Sequence, residues 1–229
     1  KDHPLFALRV RHAVRRGAAL NAIGSGQEDW AMPIENRVAV PPGQWISSMV
    51  SVALAVAAAK SVSAPFAGEI TDAARLIAAS LLSGERRAIL LGNGAAHHSQ
   101  ASSLLSVAQW IGDQTGAAVG YLTEAANTVG AQLVGAKPGQ DGLHAGQMLS
   151  GSLKAVLLLN TEPEFDSAAA RKATDALKQA QMVVSMSPFK ANMDFCDVML
   201  PVAPFTETSG TYVNAEGRAQ SFHAVVKPL

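Results

Sequence analysis

The sequence predicts an α/β fold: a parallel, Rossmann-like sheet with helices on both faces, followed by a C-terminal hairpin. Three observations predict it. Short runs rich in Ile, Val, Leu and Met occupy 87–91, 154–159, 182–186 and 197–200, without the polar alternation of a half-buried strand. The first two runs are each followed by a turn and then by a segment whose apolar residues recur at helical spacing. Continuous apolar strands that alternate with helices are the mark of a parallel sheet covered on both sides. Finally, 211–223 carries Ala215-Glu216-Gly217 between two β-prone segments, and the glycine supplies the positive φ that a tight hairpin turn needs.

The first predicted element is a helix over 5–16, in which Leu5, Leu8 and Ala13 recur at helical spacing and which Gly17 stops; 18–23 then reads as a short buried strand. This is half of a βαβ unit without its first strand. The sequence is therefore expected to begin inside a longer polypeptide, as the lack of an initiator methionine and of an apolar signal core also suggests. Residues 24–43 are rich in Gly and Pro and irregular apart from a short strand near 37–40. Two helices follow, over 44–61 and 70–83.

From residue 84 the strand–turn–helix order repeats. The run 87–91 leads through Gly92-Asn93-Gly94 to a helix over about 99–115, with Leu104, Leu105, Ala108 and Ile111 on one face. Residues 121–151 carry six glycines and no clear period, and read as a long ordered excursion. The run 154–159 leads through Asn160-Thr161-Glu162-Pro163 to a helix over 167–180, and 182–186 leads through Ser187-Pro188-Phe189 to the strand at 197–200. Two domains are expected: 1–83, the remnant of one α/β domain with a helical connection, and 84–229, a second α/β domain. Right-handed crossovers would set the turns after Leu91, Leu159, Met186 and Leu200 along one edge, where open α/β sheets bind their ligands.

Composition narrows the function classes. Eighteen basic residues balance 18 acidic ones, so there is no basic excess of the kind that phosphate backbones demand, and no nucleic-acid partner is expected. The cluster Arg9, Arg11, Arg15 and Arg16 reads as the solvated face of one helix. Charged residues make up 16% of the chain, below the usual 25% or so, which suggests that part of the surface is covered by another body. The most apolar stretch, 45–59, is interrupted by three serines and falls short of the ~20 residues of a membrane span. No direct membrane insertion is expected. A single cysteine, Cys196, excludes an intrachain disulfide and any cluster ligated by four cysteines of this chain.

No catalytic set emerges from the residues. Gly92-Asn93-Gly94 sits between strand and helix, yet His97 stands where the dinucleotide fingerprint places its third glycine. His97 and His98 are adjacent and point apart, which does not suit a shared metal. Glu162 and Glu164 flank Pro163 on a loop with no neighbouring base. Neither a Gly-x-Ser-x-Gly elbow nor a Cys-x-x-Cys pair occurs. Catalytic residues and metal ligands are accordingly expected to be none.

The C-terminal segment is more informative. Asp197-Val198-Met199-Leu200-Pro201, then Glu207, Gly210-Thr211, Asn214 and Glu216-Gly217-Arg218-Ala219-Gln220, resembles the molybdopterin oxidoreductase pattern of a strand ending ADVVLP followed by E-x-x-G-T-x-x-N-x-E-G-R-x-Q. Matches extend through His3-Pro4 with Arg9, Arg15-Arg16-Gly17, the Ile89 to Gly94 strand and turn, and Ala126-Asn127-x-x-Gly130-Ala131 through Gly135-x-x-Pro138. The resemblance implies that 84–229 is a domain of that type. It also implies a crevice, here expected to be vestigial, with Gly92, Asn93, Gly94, Asn160, Glu162, Ser187 and Glu207 as its candidate residues.

Two departures bear on the cofactor. Cofactor-holding members carry an Asp-Pro-Arg turn where this chain has Gly24-Ser25-Gly26, and Gly-Glu-Asn-Pro where it has Asn160-Thr161-Glu162-Pro163. A carboxylate beside a pyrophosphate is repulsive, so bound molybdopterin is not expected. Together with Gln27-Glu28-Asp29-Trp30 and the Thr-Glu-Pro-Glu loop, the pattern is similar to the large iron–sulfur subunit of bacterial NADH:quinone oxidoreductase, respiratory complex I. That similarity implies a scaffold part without a redox centre of its own, in a parent that holds iron–sulfur clusters and passes electrons from NADH to quinone. The implied partners are other subunits of the peripheral arm, on the cytoplasmic side of the bacterial inner membrane. The alternatives are a fragment of a catalytic molybdopterin enzyme such as a formate dehydrogenase or nitrate reductase, and a free-standing nucleotide-binding protein.

Overall fold

The computed structural model describes residues 3–26, 29–151 and 153–228, and the chain forms two compact units, Lys1–Ala125 and Ala126–Leu229. In the first, helix α1 (Pro4–Arg15) starts on a proline, whose missing N–H is no loss there, and carries His12 and Arg15 in its last turn. Strand β1 (Asn21–Gly24) pairs in parallel with β2 (Asn36–Ala39). Helices α2 (Trp45–Lys60) and α3 (Asp72–Ser83) follow, then β3 (Ala88–Leu91), the single turn α4 (Asn93–Ala96), α5 (Ala101–Thr115) and β4 (Ala118–Tyr121). Strands β3 and β4 form a second parallel pair. Strand β4 was not predicted, because Ala-Val-Gly-Tyr is too short to show a period.

Helix α2 is the centre of this unit. Preceded directly by the 3-10 turn Pro42–Gln44, it makes a stretch of 19 residues, Pro42–Lys60, long and apolar enough to cross a membrane by length and composition alone. That is longer than the apolar run visible in the sequence, because the turn extends it. In the fold, however, its Val52, Ala53 and Val56 are buried against Ala74, Ile77 and Ala78 of α3 and Val107 and Ile111 of α5. Ile23, Val38 and Ile89 of the strands pack on the same core. Each buried Val or Ile side chain contributes about 1.5–3 kcal/mol. This shared core explains why the boundary between the units falls at 125/126 rather than the expected 83/84: α5 completes the packing of α2 and α3.

Polar groups lock the helix ends. Thr71 caps α3 by accepting the Ala74 N–H at 3.2 Å, and the buried Ser51 hydroxyl of α2 accepts the Thr71 N–H at 2.9 Å. The Arg87 guanidinium donates to the carbonyls of Leu82 and Gly84 at the end of α3 and of Thr115 at the end of α5, the sites where helix carbonyls lack partners. Gly112 lets α5 lie against β4: a Cβ there would meet Val119 Cγ2 at 2.5 Å.

The second unit contains α6 (Thr128–Leu133), α7 (Ala145–Met148), β5 (Ala155–Leu159), α8 (Pro163–Asp166), α9 (Ala170–Lys178), β6 (Met182–Ser187), β7 (Val198–Pro201), β8 (Gly210–Val213) and β9 (Ala219–Phe222). Strands β5, β6 and β7 form a parallel sheet in that order. On one face Leu158 and Val183 are buried against Leu177 of α9. The register places Leu157, Leu159, Met182, Val198 and Leu200 on the other face, where Leu157 and Leu159 are each 64% exposed. The α/β class and the parallel pairing agree with the sequence prediction. The cover differs: β6 and β7 are joined by a loop without a helix, so the crossover helices among these three strands are α8 and α9, both between β5 and β6.

The tail is the predicted hairpin, β8 antiparallel to β9. Asn214 Oδ1 accepts the amides of Glu216 and Arg218 at 3.0 and 2.9 Å, and Gly217 adopts φ +82. The Phe222 ring lies over Gly210, where a Cβ would approach it to 2.7 Å. Asn127 Oδ1 accepts the Val213 N–H at 2.8 Å, tying β8 to the start of α6. Gly130 makes room for that carboxamide, since a Cβ would stand 2.0 Å from Asn127 Oδ1.

Gly112→Ala is expected to lower stability by about 1–3 kcal/mol through overpacking against β4. The check is urea unfolding, with a lowered midpoint at unchanged slope; Asp113→Ala on the exposed side of α5 should shift it by about 0.5 kcal/mol or less.

Candidate functional site at the carboxyl edge of the three-stranded sheet

In an open parallel sheet the loops after the strands' carboxyl ends carry the ligand site. Here the loop after β5 runs Asn160-Thr161-Glu162-Pro163, and Ser187 ends β6. Asn160 adopts φ +54, and its N–H donates to Met186 O at 2.7 Å, which turns the chain sharply at the end of β5. The Ser187 hydroxyl, 3% exposed, donates to Glu162 Oε1 at 2.6 Å and accepts the Phe189 N–H at 3.0 Å. Glu162 and Ser187 are thus brought together. Asn160 lies one residue from the carbonyl that Asn192 holds.

Two further side chains complete the edge, and sequence reasoning missed both. Asp166 Oδ2 accepts the Glu162 N–H at 2.7 Å and the Thr161 hydroxyl at 3.2 Å. Asn192, 1% exposed, donates to Thr161 O at 3.0 Å and to the buried Ser185 hydroxyl at 2.9 Å. Asp166 follows Glu162 by four residues, a spacing that a short turn closes locally, and was legible in principle. Asn192 lies in an aperiodic loop and gave no signal. Asp197 fixes the other end of β6, its Oδ2 accepting the Val183 N–H at 2.6 Å.

The remaining candidates lie elsewhere. Gly92, Asn93 and Gly94 follow β3, which pairs with β4 in a separate sheet, so they are not on the edge that β5, β6 and β7 share. This corrects the single common edge expected from sequence, which assumed that all the strands join one sheet. Gly94 serves packing: a Cβ would stand 2.8 Å from Trp45 Cη2. His97 Nε2 lies 2.5 Å from Glu124 Oε2, while His98 Nε2 lies 3.0 Å from Pro42 O and its ring stands 5.7 Å from that of Trp45. Glu207 sits on the 3-10 turn Phe205–Glu207 after β7, its amide donating to Pro204 O at 2.9 Å. Cys196, a free thiol, packs at the margin of the Leu158–Leu177–Val183 cluster. At the end of β1, the Gly26 carbonyl accepts Arg37 Nη1 at 3.2 Å. Gln27 and Glu28 lie outside the described residues.

The donor set at the carboxyl edge decides what it can hold. An anion-binding loop turns backbone N–H groups and hydroxyls toward the ligand. Here the Glu162 N–H and the Thr161 hydroxyl are taken by Asp166, and the Ser187 hydroxyl by Glu162. Two carboxylates, Glu162 and Asp166, are thus the acceptors of these donors. Carboxylates repel a like charge, so this set of residues does not suit a pyrophosphate.

Asn192→Ala would leave the Ser185 hydroxyl and the Thr161 carbonyl without this donor in a buried site. A loss of about 1–3 kcal/mol is expected, measured as a lowered denaturant midpoint.

Residues 2–229 match the family model described as molybdopterin oxidoreductase. Among similar proteins, the G subunit of the NADH-quinone oxidoreductase of Pseudomonas putida is 28% identical over 189 residues, covering 80% of this chain and 20% of that protein. The G subunit of the same enzyme from Pseudomonas fluorescens is 29% identical, over 79% of this chain and 20% of its own length. Its Yersinia pestis counterpart is 33% identical over 47% of this chain and 12% of its own length. The chain spans about a fifth of the length of the first two of these relatives.

Proposed function

The chain belongs to the molybdopterin oxidoreductase family, and we propose that it acts as a scaffold part of a subunit of NADH:quinone oxidoreductase, without a redox centre of its own. The observation that carries this reading is the carboxylate-closed edge: Glu162 on Ser187 at 2.6 Å and Asp166 on the Glu162 amide at 2.7 Å. The pterin dinucleotide of the family is anionic at its diphosphate. When bound, molybdopterin supplies a metal for two-electron and oxygen-atom chemistry; these residues do not suit it.

Electron transfer from NADH to quinone belongs, on this reading, to the parent protein, whose iron–sulfur clusters lie in sequence beyond this chain. The bare apolar face of β5, β6 and β7 supports a packing role, because parallel sheets occur almost only with both faces covered. The partners are then other subunits of the peripheral arm, and the location the cytoplasmic side of the bacterial inner membrane.

Metal and pterin analysis of the full-length protein tests the proposal. Iron without molybdenum or pterin is the expected result. Molybdenum at one atom per chain, with a fluorescent pterin oxidation product in equal amount, would overturn it and favour a catalytic molybdopterin enzyme.

A further inference from the structure

Strands β1 and β3 both pack on the core around helix α2, through Ile23 and Ile89, yet they stand in separate two-stranded sheets. Backbone groups of a strand face alternate sides from one residue to the next. The carbonyls of Leu20 and Gly24 accept the amides of Glu35 and Val40 at 2.8 and 2.9 Å. Ala22 therefore turns its backbone toward β2, while Asn21 and Ile23 turn theirs away. In the same way the carbonyls of Arg87 and Leu91 accept the amides of Ala118 and Leu122 at 3.0 and 2.8 Å, so Ala88 and Leu90 turn theirs away from β4. Among the described residues no strand or loop backbone pairs with these outward groups of Asn21, Ile23, Ala88 and Leu90.

The approaches to the two open edges border one hollow: Ala18, ahead of β1, and Arg86, ahead of β3, line a single depression of about 380 Å³. Asn21 and Ile23 are half-buried, and unpaired backbone N–H and C=O groups away from water are costly. A row of such groups along a strand edge is a template for another strand. Helix α1 sets the direction of that strand. His3, just ahead of the helix, meets the carbonyl of Thr123 through Nε2, two residues past β4. The helix thus starts at the carboxyl ends of the strands and delivers the chain to the amino end of β1. A strand that leads into α1 runs parallel to β1, the arrangement of a right-handed crossover. The helix also lacks a floor: none of its residues is buried, and Leu5 and Leu8 are 76% and 47% exposed. The first two relatives have about five times the length that this chain spans, so proteins of this kind carry ample further sequence.

We propose that the cleft between β1 and β3 takes one parallel strand of the same polypeptide, from the stretch directly ahead of α1, which joins the two pairs into one sheet in the order β2, β1, added strand, β3, β4. The cleft lies in the first unit, and the character of the carboxyl edge in the second has no bearing on it.

Amide hydrogen exchange of the full-length protein, read residue by residue, tests for the strand. The Ile23 and Leu90 amides face the cleft and are expected to exchange within about tenfold of Ala22 and Ile89, which face β2 and β4. Exchange on the order of a hundredfold faster at Ile23 and Leu90 than at those neighbours marks open edges and overturns the proposal. Photo-cross-linking identifies the occupant, with p-benzoylphenylalanine in place of Leu90, a position 42% exposed, in the same full-length protein. Unchanged exchange of the Ala53 and Val56 amides of α2 checks that the substituted protein is folded. The expected product joins position 90 to the peptide directly ahead of Lys1. Cross-links that run only to a distant segment of the polypeptide, or to another protein, overturn the proposal as well.

Discussion

A hydroxyl at the end of one strand and a carboxylate just past the end of its neighbour set the character of the second unit. Ser187 is buried, and its proton must go to an acceptor; Glu162 provides one at 2.6 Å. For that to happen the chain must turn sharply after β5, which Asn160 does at φ +54, and the freed Glu162 amide needs a partner, which Asp166 supplies. Asn192 then holds Thr161 from beneath. Each of these groups is satisfied by another group of the same loop system. On the proposed reading, a site closed in this way has few donors left to offer an anion.

Family membership and a closed edge are compatible because the family's most specific sequence signature serves the backbone. Asn214 and Gly217 build the hairpin turn, Gly210 lies under Phe222, and Asn127 with Gly130 pins β8 to α6. These residues keep a hairpin in place whatever happens at the carboxyl edge. On the proposed reading, selection for packing preserves them while the loops that would face a ligand are free to change. The apolar face of β5, β6 and β7 fits the same reading, since exposed leucines on a parallel sheet are tolerable only where another body covers them.

The sequence made some of this legible and hid the rest for physical reasons. Apolar runs such as Ala155–Leu159 are dense enough to read directly, and the turns after them follow from composition. The long excursion after Tyr121 hid its two short helices because α6 and α7 span six and four residues, too few to show a helical period. That Glu162 lies in the loop after a strand could be read from its place after the run 154–159. That its partner is Ser187, 25 residues on, depends on the β5–β6 pairing and could not. The grouping of Gly92 to Gly94 with that edge failed because the strand pattern shows how many strands there are, but not which of them share a sheet.

Calorimetric titration of the chain with guanosine diphosphate, the anionic half of the family's dinucleotide cofactor, tests the closed edge most directly. The account predicts no saturable heat up to millimolar nucleotide, in native protein and in Ser187→Ala alike. One-to-one binding at micromolar affinity that Ser187→Ala weakens would contradict it, because it would show that Ser187 serves a phosphate in place of Glu162.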